Sequence, residues 1–537
     1  MGTGFIPVGW DNYRVAPPIG TVVVTNAAMF QTEMDKVLPG GVNEGDSVDI
    51  EFTTGTFDEI AILGGYQVAD GGTGIRLYGQ QDGSSRIRFT GNGTSDAAGA
   101  CLRIGSEPNQ SQVTDGVEVY NLEFDGNSSG NGNNAIWGVV FGASFDNDTR
   151  MGNVHNYRIQ GCRLHRMQIS ALKMDGDGGS SFGVAYGNTV HNTNQRYLNN
   201  GLSLGSGEGI YLGDGNTNRA YDNMIVERNH VYDVNQGEAI EFKANGTNCI
   251  CRWNYVHDNL VHTGGAIKNI AVGTEIYGNR VHNIFTNGDS ATGSGNAFFI
   301  MRTTDLHNTI AWDCDAAVAV PNAPSGQSTT SRHNTFQATT IWRLNQDGSS
   351  FGSNPHPINS DNDITVGNLT QGSQAGSSFN GLAASLGDFE GPTTGTADDG
   401  NGPGSGWAPK ATSTNIVDAA PNVGITTSVD ETVRPNGAGF DYGAVELGSN
   451  ISVAFEITSP VDGSIDQLTP ITPSGTGEAG SNYEHAVIND TTGMVLTEFG
   501  EIGTTHDPGT DTWTADAPTV IPQDGSVIRV KSRRVDS

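Results

Sequence analysis

A short element that begins with asparagine recurs through the middle of the chain about every 25 residues. Its form is Asn, any residue, an apolar residue, then His or Tyr. Clear copies begin at Asn188, Asn229, Asn254 and Asn279, and looser copies begin at Cys162, Asn308 and Asn334. The step from 188 to 229 is 41 residues, against 25 for each of the next two steps, which indicates an insertion there. A fixed period is the signature of a solenoid built from stacked units.

A second element follows most copies of the first and is typical of a β-strand. Each copy is short, is apolar at alternate positions and is bounded by Gly or Asn. The copies are residues 171–174, 209–212, 239–242, 266–269 and 297–300. The leucine lattice of leucine-rich repeats is absent, and helix formers are too scarce for helical repeats. The pattern therefore predicts a β-solenoid with at least two strands in each repeat.

Composition narrows the class of protein further. The chain has 75 glycines in 537 residues, but they follow no three-residue period, which excludes collagen. Hydrophobic residues make up 35% of the chain, enough for a core, so wholesale disorder is excluded as well. Charged residues are only 16%, which disfavours coiled coils and long exposed helices.

The charge balance excludes several partners. Lys and Arg number 27 against 59 Asp and Glu, so the formal net charge is −32. Nucleic-acid binding needs clustered basic residues, so we expect no nucleic-acid partner. No run of about 18 apolar residues occurs, so we expect no membrane insertion. Five cysteines do not describe a disulfide framework.

The first residues lack the basic and apolar regions of a secretory signal. We expect either that a signal was removed or that the protein leaves its cell by another route. Virion assembly followed by lysis is such a route. The expected location is therefore the virion or the extracellular space.

The repeat architecture resembles the right-handed parallel β-helix of the pectate-lyase type. That fold accounts for the recurring asparagine, because side-chain amides at one turn position bond from repeat to repeat as a ladder. The resemblance implies an all-β solenoid with a helix over its open N-terminal end. The segment near 26–38 reads as that helix, with Asn26 as N-cap and Ala27, Phe30 and Met34 on one face.

We divide the chain into three parts. Residues 1–20 are an N-terminal lead-in, and residues 21–448 form the β-helix with a long loop near 387–430. The stretch from Arg434 to Glu446 resembles the closing segment of many bacterial extracellular β-helices. Residues 450–537 lose the asparagine repeat and alternate apolar and polar residues around turns. They predict a small C-terminal β-sandwich of the immunoglobulin or fibronectin type.

The strand alternation predicts a charged patch on the outer surface. With the apolar residue of each copy pointing inward, the next residues form one outward column: Lys173, Tyr211, Glu241, Lys268 and Phe299. A neighbouring column contains Asp175 and Lys243, Arg302 follows it, and Glu208 and Glu238 stand at strand starts. Three of the six lysines of the chain fall on this patch. It is either a solvated ladder of ion pairs or a polysaccharide cleft.

Two reactions fit such a cleft. In β-elimination, a cation neutralises a uronate carboxylate while a base removes the adjacent proton. Lys243 or Tyr211 is then the base and Lys268 the neutralising cation, with Glu241 completing the catalytic group. In hydrolysis, two carboxylates flank the glycosidic bond. We expect the remaining polar residues to bind substrate: Lys173, Asp175, Glu208 and Arg302.

The segment from Gln236 to Lys243 resembles the catalytic rung of polysaccharide lyase family six, the alginate and dermatan lyases. That family has two Ca²⁺-binding acids two residues apart, and its catalytic Lys lies five residues after the second. Glu238 and Lys243 keep this spacing, whereas Gln236 replaces the first acid and Lys268 is nearest to the family's arginine. The resemblance implies Ca²⁺ as cofactor, with Glu238 as metal ligand, and the Gln236 departure leaves the ion open.

Three functions follow from these patterns. The first is a tailspike- or tail-fibre-like protein that binds, and in its active form cleaves, a host surface polysaccharide, as a homotrimer when it is part of a virion. The second is a secreted polysaccharide lyase that acts by β-elimination. The third is a structural or adhesive β-helix without catalysis, in which the lysine patch only pairs ions.

Overall fold

In the computed structural model of the protein, parallel strands stack one above another along most of the chain. The chain divides into two compact units, residues 5–446 and a second unit from residue 447 onwards. In the first unit the structure describes residues 13–446 except for the following: 64, 70–71, 91–98, 106–112, 128–135, 143–153, 175–179, 196–206, 214–219, 262–263, 287–294, 323, 345–353, 372–374, 392, 395, 398–402, 430–433 and 436–438. In the second unit it describes residue 447 and, beyond it, strands alone.

The first unit is a right-handed parallel β-helix with three sheets, each of which contributes one strand to a typical rung, meaning one turn of the solenoid. The first sheet comprises Val22–Val24, Val48–Phe52, Ile75–Tyr78, Thr114–Asp115, Val117–Tyr120, Val154–Gln160, Ser180–Tyr186, Tyr221–Asp222, Ile225–Glu227, Gly246–Thr247, Ile250–Arg252, Thr274–Tyr277, Thr304–His307, Thr329–Arg332, Ile358–Gln371 and Ser378–Ala383. The second comprises Gly55–Phe57, Ser85–Arg88, Glu123–Asp125, Arg163–His165, Thr189–Thr193, His230–Val234, Tyr255–Val261, Arg280–Thr286, Ile310–Val320 and Thr335–Leu344. The third comprises Ile60–Leu63, Gly99–Gly105, Ile136–Phe141, Leu172–Met174, Ile210–Leu212, Ile240–Phe242, Gly265–Asn269 and Asn296–Ile300. It continues through the ends of the long strands Ile310–Val320 and Thr335–Leu344, which it shares with the second sheet.

The inward side chains of all three sheets form one continuous apolar core along the axis. Leu172, Ile210, Ile240, Ile267 and Phe298 stack in register in the third sheet and are fully buried. The outward column predicted from the sequence is therefore also in register, because Lys173, Tyr211, Glu241, Lys268 and Phe299 are paired in that order.

The recurring asparagine lies at the turn from the first sheet to the second and forms a ladder. The Nδ2 atom of Asn188 donates to Oδ1 of Asn229 at 2.9 Å, and Asn229 donates to Asn254 and Asn254 to Asn279 at 3.0 Å each. The residue before each asparagine has a positive φ, as at Gly187 and Trp253, which turns the chain sharply.

One copy of the repeat was placed one residue too early. Because Arg280 pairs with Ile310, the residue that matches Asn279 is Thr309 and not Asn308. Asn308 instead has a φ of 49° and occupies the preceding turn position. The ladder continues from there, since the Thr309 N–H donates to Oδ1 of Asn334 at 2.9 Å.

A helix covers the N-terminal end of the solenoid, as the sequence predicted. It spans Ala27–Val37, and Oδ1 of Asn26 accepts a hydrogen bond from the Met29 N–H at 2.9 Å as the N-cap. Phe30, Met34 and Val37 are its buried residues, and they join the core of the first rungs. The helix protects apolar side chains and backbone groups that an open end would expose.

The chain after the last rung folds back over the outer face of the second sheet. It contains the short 3₁₀ turns Leu386–Asp388 and Ser405–Trp407. Phe389, Trp407, Ile416 and Val429 bury themselves against Trp312 in a second hydrophobic cluster. Arg434 is buried and lies 3.1 Å from Glu446, so an ion pair closes this segment.

Among the residues that the structure describes in the C-terminal unit, seven strands form two antiparallel sheets, and the β-sandwich stays a prediction. One sheet comprises Ile457–Ser459, Ser474–Thr476, Thr504–Asp507 and Thr512–Ala515. The other comprises Asn482–Asn489, Met494–Thr497 and Ile528–Val535. Among the described residues of the whole chain, no helix is long and apolar enough to cross a membrane.

Candidate functional site

The corner between the second and third sheets places several glutamates on the outer face. Ala239 and Ile240 are consecutive, and both belong to the buried core. Two successive inward residues reset the alternation of the strand, so Glu238 and Glu241 share the outer side although they are three residues apart. Glu208 occupies the position of Glu238 one rung earlier.

The three carboxylates converge on one point. An oxygen of each of Glu208, Glu238 and Glu241 lies within 4.8 Å of an oxygen of the others. Their exposed fractions are 1%, 5% and 0%, so water screens their mutual repulsion poorly. Such a cluster is stable only with compensating cations or bound protons.

Two lysines supply the compensating charge. The Nζ atom of Lys268 lies 2.8 Å from Oε1 of Glu238 and 2.8 Å from Oε1 of Glu241. The Nζ atom of Lys243 lies 2.8 Å from the same oxygen of Glu241. Lys268 is therefore an internal bridge, whereas the Lys243 side chain, 17% exposed, is the more accessible of the two.

Glu208 has a different environment from the other two acids. Its Oε2 accepts hydrogen bonds from the Ser170 hydroxyl at 2.6 Å and the Gly207 N–H at 2.9 Å. Burial, followed by the charges of Glu241 and Glu238, raises the pKa of Glu208 to about 8. Glu208 therefore carries a proton at neutral pH.

The pKa values of Glu238, Glu241 and Lys268 are shifted in directions that follow from their contacts. Burial and the charge of Glu241 raise the pKa of Glu238. Burial also acts to raise the pKa of Glu241, but Lys268 and Lys243 outweigh it and hold that pKa below its usual value. For Lys268, the two glutamates outweigh burial and raise its pKa, so it stays charged. One acid is thus kept protonated beside another that is kept ionised.

Aromatic rings extend the site by one rung on the N-terminal side. The Nζ atom of Lys173 lies 4.9 Å from the ring centroid of Trp137 and 5.2 Å from that of Tyr211. The Nζ atom of Lys243 lies 5.2 Å from the centroid of the same Tyr211 ring. Cations near aromatic faces are stabilised by the ring quadrupole, so the rings fix both ammonium groups.

The structure brings together most of the residues that the sequence singled out. The group comprises Lys173, Glu208, Tyr211, Glu238, Glu241, Lys243 and Lys268. Arg302 does not belong to it, because no hydrogen bond or ion pair found among the described residues joins it to these carboxylates. It lies near His356, whose pKa is lowered mainly by burial and to a smaller extent by the charge of Arg302. Asp175 lies outside the described residues.

Two members of the site were not predicted. Trp137 comes from the strand one rung before Lys173, and that rung carries no copy of the asparagine element that would have set its register. Ser170 precedes the third-sheet strand and bonds Glu208. The repeat offered a signal for Ser170, because it stands two residues before Leu172, as Glu208 stands two before Ile210.

The donor set does not suit Ca²⁺ as it stands. Calcium takes six to eight oxygen ligands, with several ionised carboxylates free to bind. Here the ammonium groups of Lys243 and Lys268 each lie 2.8 Å from Oε1 of Glu241. Lys268 also lies 2.8 Å from Oε1 of Glu238, so few ionised oxygens are left for a Ca²⁺ ion.

Several solved structures are similar to this chain. An alginate lyase from Paenibacillus sp. str. FPU-7 is 14% identical, covers 61% of this chain and 98% of that chain, and has a TM-score of 0.44. Pectate lyase Pel9A is 13% identical, with coverages of 78% and 90% and a TM-score of 0.45. ORF18 of Geobacillus virus E2 is 14% identical, with coverages of 70% and 63% and a TM-score of 0.28.

No protein-family model matches the chain, and no curated protein matches it. Likeness at identities of 13–14% leaves the function to be argued from the residues of this chain.

Proposed function

We propose that the chain binds an acidic polysaccharide on the outer face of the third sheet and cleaves it there by β-elimination. The observation that carries this proposal is the convergence of Lys173, Lys243 and Lys268 with a protonated Glu208. β-Elimination of a uronate needs positive charge for its carboxylate, a base for the adjacent proton and an acid for the leaving oxygen.

The local charge favours an anionic ligand although the whole chain is acidic. While Lys243 is an ammonium group, three lysines face two ionised glutamates and the protonated Glu208, so the group is positive and attracts an anionic ligand. It becomes neutral only when Lys243 gives up its proton to act as the base. The rest of the chain carries a formal charge of −32 in total, so a positive site stands out locally. A sugar carboxylate gains most from such a site where water is excluded.

The residues divide the chemistry among them. Lys243, as the free amine, or Tyr211, as the phenolate, removes the proton next to the carboxylate, and the bond to the leaving oxygen breaks as the double bond forms. The Glu208 carboxyl donates its proton to that leaving oxygen. Lys268 is held between two glutamates, so we assign it to positioning them and to the positive potential.

Hydrolysis is the second candidate, and one observation favours it. A protonated carboxyl, Glu208, lies within 4.8 Å of the ionised Glu241, and an acid paired with a carboxylate is what glycoside hydrolases use. Against it, Glu241 is held by two ammonium groups, which weaken it as a nucleophile.

The test is an assay on acidic polysaccharides such as alginate and pectin. Elimination leaves an unsaturated sugar that absorbs in the ultraviolet, whereas hydrolysis releases reducing ends without that absorbance. We expect Lys243→Ala to lose at least about 100-fold in kcat, the range expected for a general base. Lys36→Ala, on the exposed side of the capping helix, is the matched control and should keep full activity. Full activity in Lys243→Ala would overturn the assignment.

The proposal also covers where the protein acts and in what oligomeric state. We favour a virion-associated or otherwise extracellular protein that recognises a host surface polysaccharide, with a secreted lyase as the alternative. A tailspike-like protein is expected to be a homotrimer, with a light-scattering mass near three times 56.4 kDa. A single-chain mass would favour the secreted lyase. An adhesive protein would bind a glycan saturably without cleaving it. A structural protein would show neither cleavage nor saturable glycan binding.

A further inference from the structure

The outer face of the second sheet carries a continuous stack of rings, on a different sheet from the chemistry described above. Neighbouring ring centroids are 4.4 to 5.2 Å apart and their planes differ by 12° or less. The six rings, in rung order, are His165, His191, Tyr232, His257, His282 and Trp312.

The edge of a stacked ring typically meets a side chain from the preceding rung. That side chain lies two residues before the residue that pairs with the ring residue, so the contact runs diagonally between the two strands. The pairs are Glu123 Oε1 with His165 Nε2 at 2.7 Å, Arg163 Nε with His191 Nε2 at 3.2 Å, and Tyr255 Oη with His282 Nε2 at 2.8 Å. Carboxylate, guanidinium and phenol each complement an imidazole nitrogen.

At His257 the diagonal partner is a second imidazole. The Nε2 atoms of His230 and His257 face each other at 2.7 Å. The Nδ1 atom of His257 lies 2.7 Å from Oδ2 of Asp258, and a carboxylate there accepts the Nδ1 proton. The lone pair of His257 therefore lies on Nε2 and points at His230, which is the arrangement of a metal-ligating histidine with its carboxylate.

The surroundings suit a cation. Asp233 occupies the rung before Asp258, and burial together with the charge of Asp258 raises its pKa. Two carboxylates thus lie beside the pair, and Asp258 is exposed, so a solute ion has access from that side.

We propose that His230 and His257 bind a divalent transition-metal ion, such as Cu²⁺ or Zn²⁺, through their Nε2 atoms, with Asp258 positioning His257. Zinc–nitrogen bonds of about 2.0–2.1 Å need the two nitrogens about 3.3 Å apart, so the rings must separate by about 0.6 Å. Imidazole nitrogen is the preferred ligand of these ions, whereas Ca²⁺ and Mg²⁺ prefer oxygen.

The site is open rather than a closed cage. Among the described residues, the glutamate cluster is the one group of three or more His, Cys, Asp or Glu side chains close enough to surround an ion. Two histidines leave the other coordination positions to water. We therefore expect reversible binding that a chelator removes without unfolding the chain.

The experiment uses the full chain with Cu²⁺ alone as the probe. We expect one tightly bound ion whose electron paramagnetic resonance spectrum shows coupling to two imidazole nitrogens. His230→Gln and His257→Gln should each remove one nitrogen and weaken binding more than tenfold. Asp258→Asn should weaken binding by roughly tenfold while both nitrogens stay coupled, as expected for a residue that positions a ligand.

Two controls separate this site from the rest of the chain. His165→Gln removes another histidine of the same stack and should leave Cu²⁺ affinity unchanged, and so should Glu238→Gln in the glutamate cluster. A wild-type spectrum without nitrogen coupling would overturn the proposal without any variant. So would nitrogen coupling that persists in a folded His230→Gln/His257→Gln double variant.

Discussion

At the scale of single residues, Glu208 and Glu238 have equivalent positions and a raised pKa, but they have different partners. Each follows a glycine and precedes a strand of the third sheet at the same position in its rung. Glu238 lies 2.8 Å from an ammonium group, whereas Glu208 receives a hydroxyl and a backbone N–H. A neutral donor compensates less charge than a cation, so Glu208 keeps its proton at neutral pH.

We predict that Glu208→Gln removes a pH dependence of stability. The folded-state pKa of Glu208, about 8, lies above the ordinary value of 4.5, so the folded chain binds an extra proton between these limits. The free energy of unfolding then falls as pH rises, by up to about 1.4 kcal/mol per pH unit. Glutamine is neutral throughout, so its variant should show a flatter profile from pH 5 to 8 in urea unfolding.

Glu275→Gln is the matched control for this measurement, because Glu275 is exposed on the first sheet. It should reproduce the wild-type slope. If Glu208→Gln also keeps the wild-type slope, the carboxyl of Glu208 is ionised in the folded chain and the proton donor must be another group.

The protonation states of the site residues were the property that the sequence patterns predicted least well. The repeat register was enough to place Lys173, Tyr211, Glu241 and Lys268 in one column, and the structure shows that column. It did not indicate which glutamate is protonated, because that depends on distances of about 3 Å between rungs. It also placed Arg302 beside the patch, and among the described residues no hydrogen bond or ion pair joins Arg302 to the three glutamates.

At the scale of elements, the rung is the unit that the sequence specifies. The strand alternation and the asparagine each recur once per rung, so the fold could be predicted from their period. The looser copy at Asn308 was wrong by one residue because asparagine suits two adjacent turn positions. One is the ladder position, and the other needs a positive φ that asparagine tolerates well.

We predict that Asn254→Ala lowers the free energy of unfolding by about 2–4 kcal/mol, since several buried polar groups lose a partner at once. Asn254 is fully buried, donates to Asn279 and to the Val226 carbonyl, and accepts from Asn229. Urea unfolding measures the change. Asn43→Ala, at an exposed asparagine outside the ladder, should cost less than about 0.5 kcal/mol. Equal effects of the two substitutions would show that the ladder adds no stability of its own.

At the scale of the whole molecule, the buried ion pairs and the overall charge have opposite effects on the stability of the folded chain. The pairs between Lys268 and its two glutamates are internal and are little affected by dissolved salt. The formal charge of −32 is a property of all the surfaces together, and it opposes the compact state through self-repulsion. Salt therefore separates the two contributions, because it screens exposed charges and leaves the buried pairs intact.

We predict that the midpoint of thermal unfolding of the chain rises when sodium chloride is added at low ionic strength. The rise should be steepest up to roughly 0.1 M, where the screening length has fallen to about 10 Å, and should flatten above it. Chloride is preferred to sulfate because sulfate also strengthens apolar burial. A midpoint that stays constant or falls with added chloride would mean that ion pairs near the surface, such as the half-buried pair of Arg76 with Asp49, outweigh the repulsion among the excess acids. In that case the acidic side chains of the surface would be compensated by basic side chains on the same or neighbouring rungs, and the net charge of the whole molecule would have little effect on its stability.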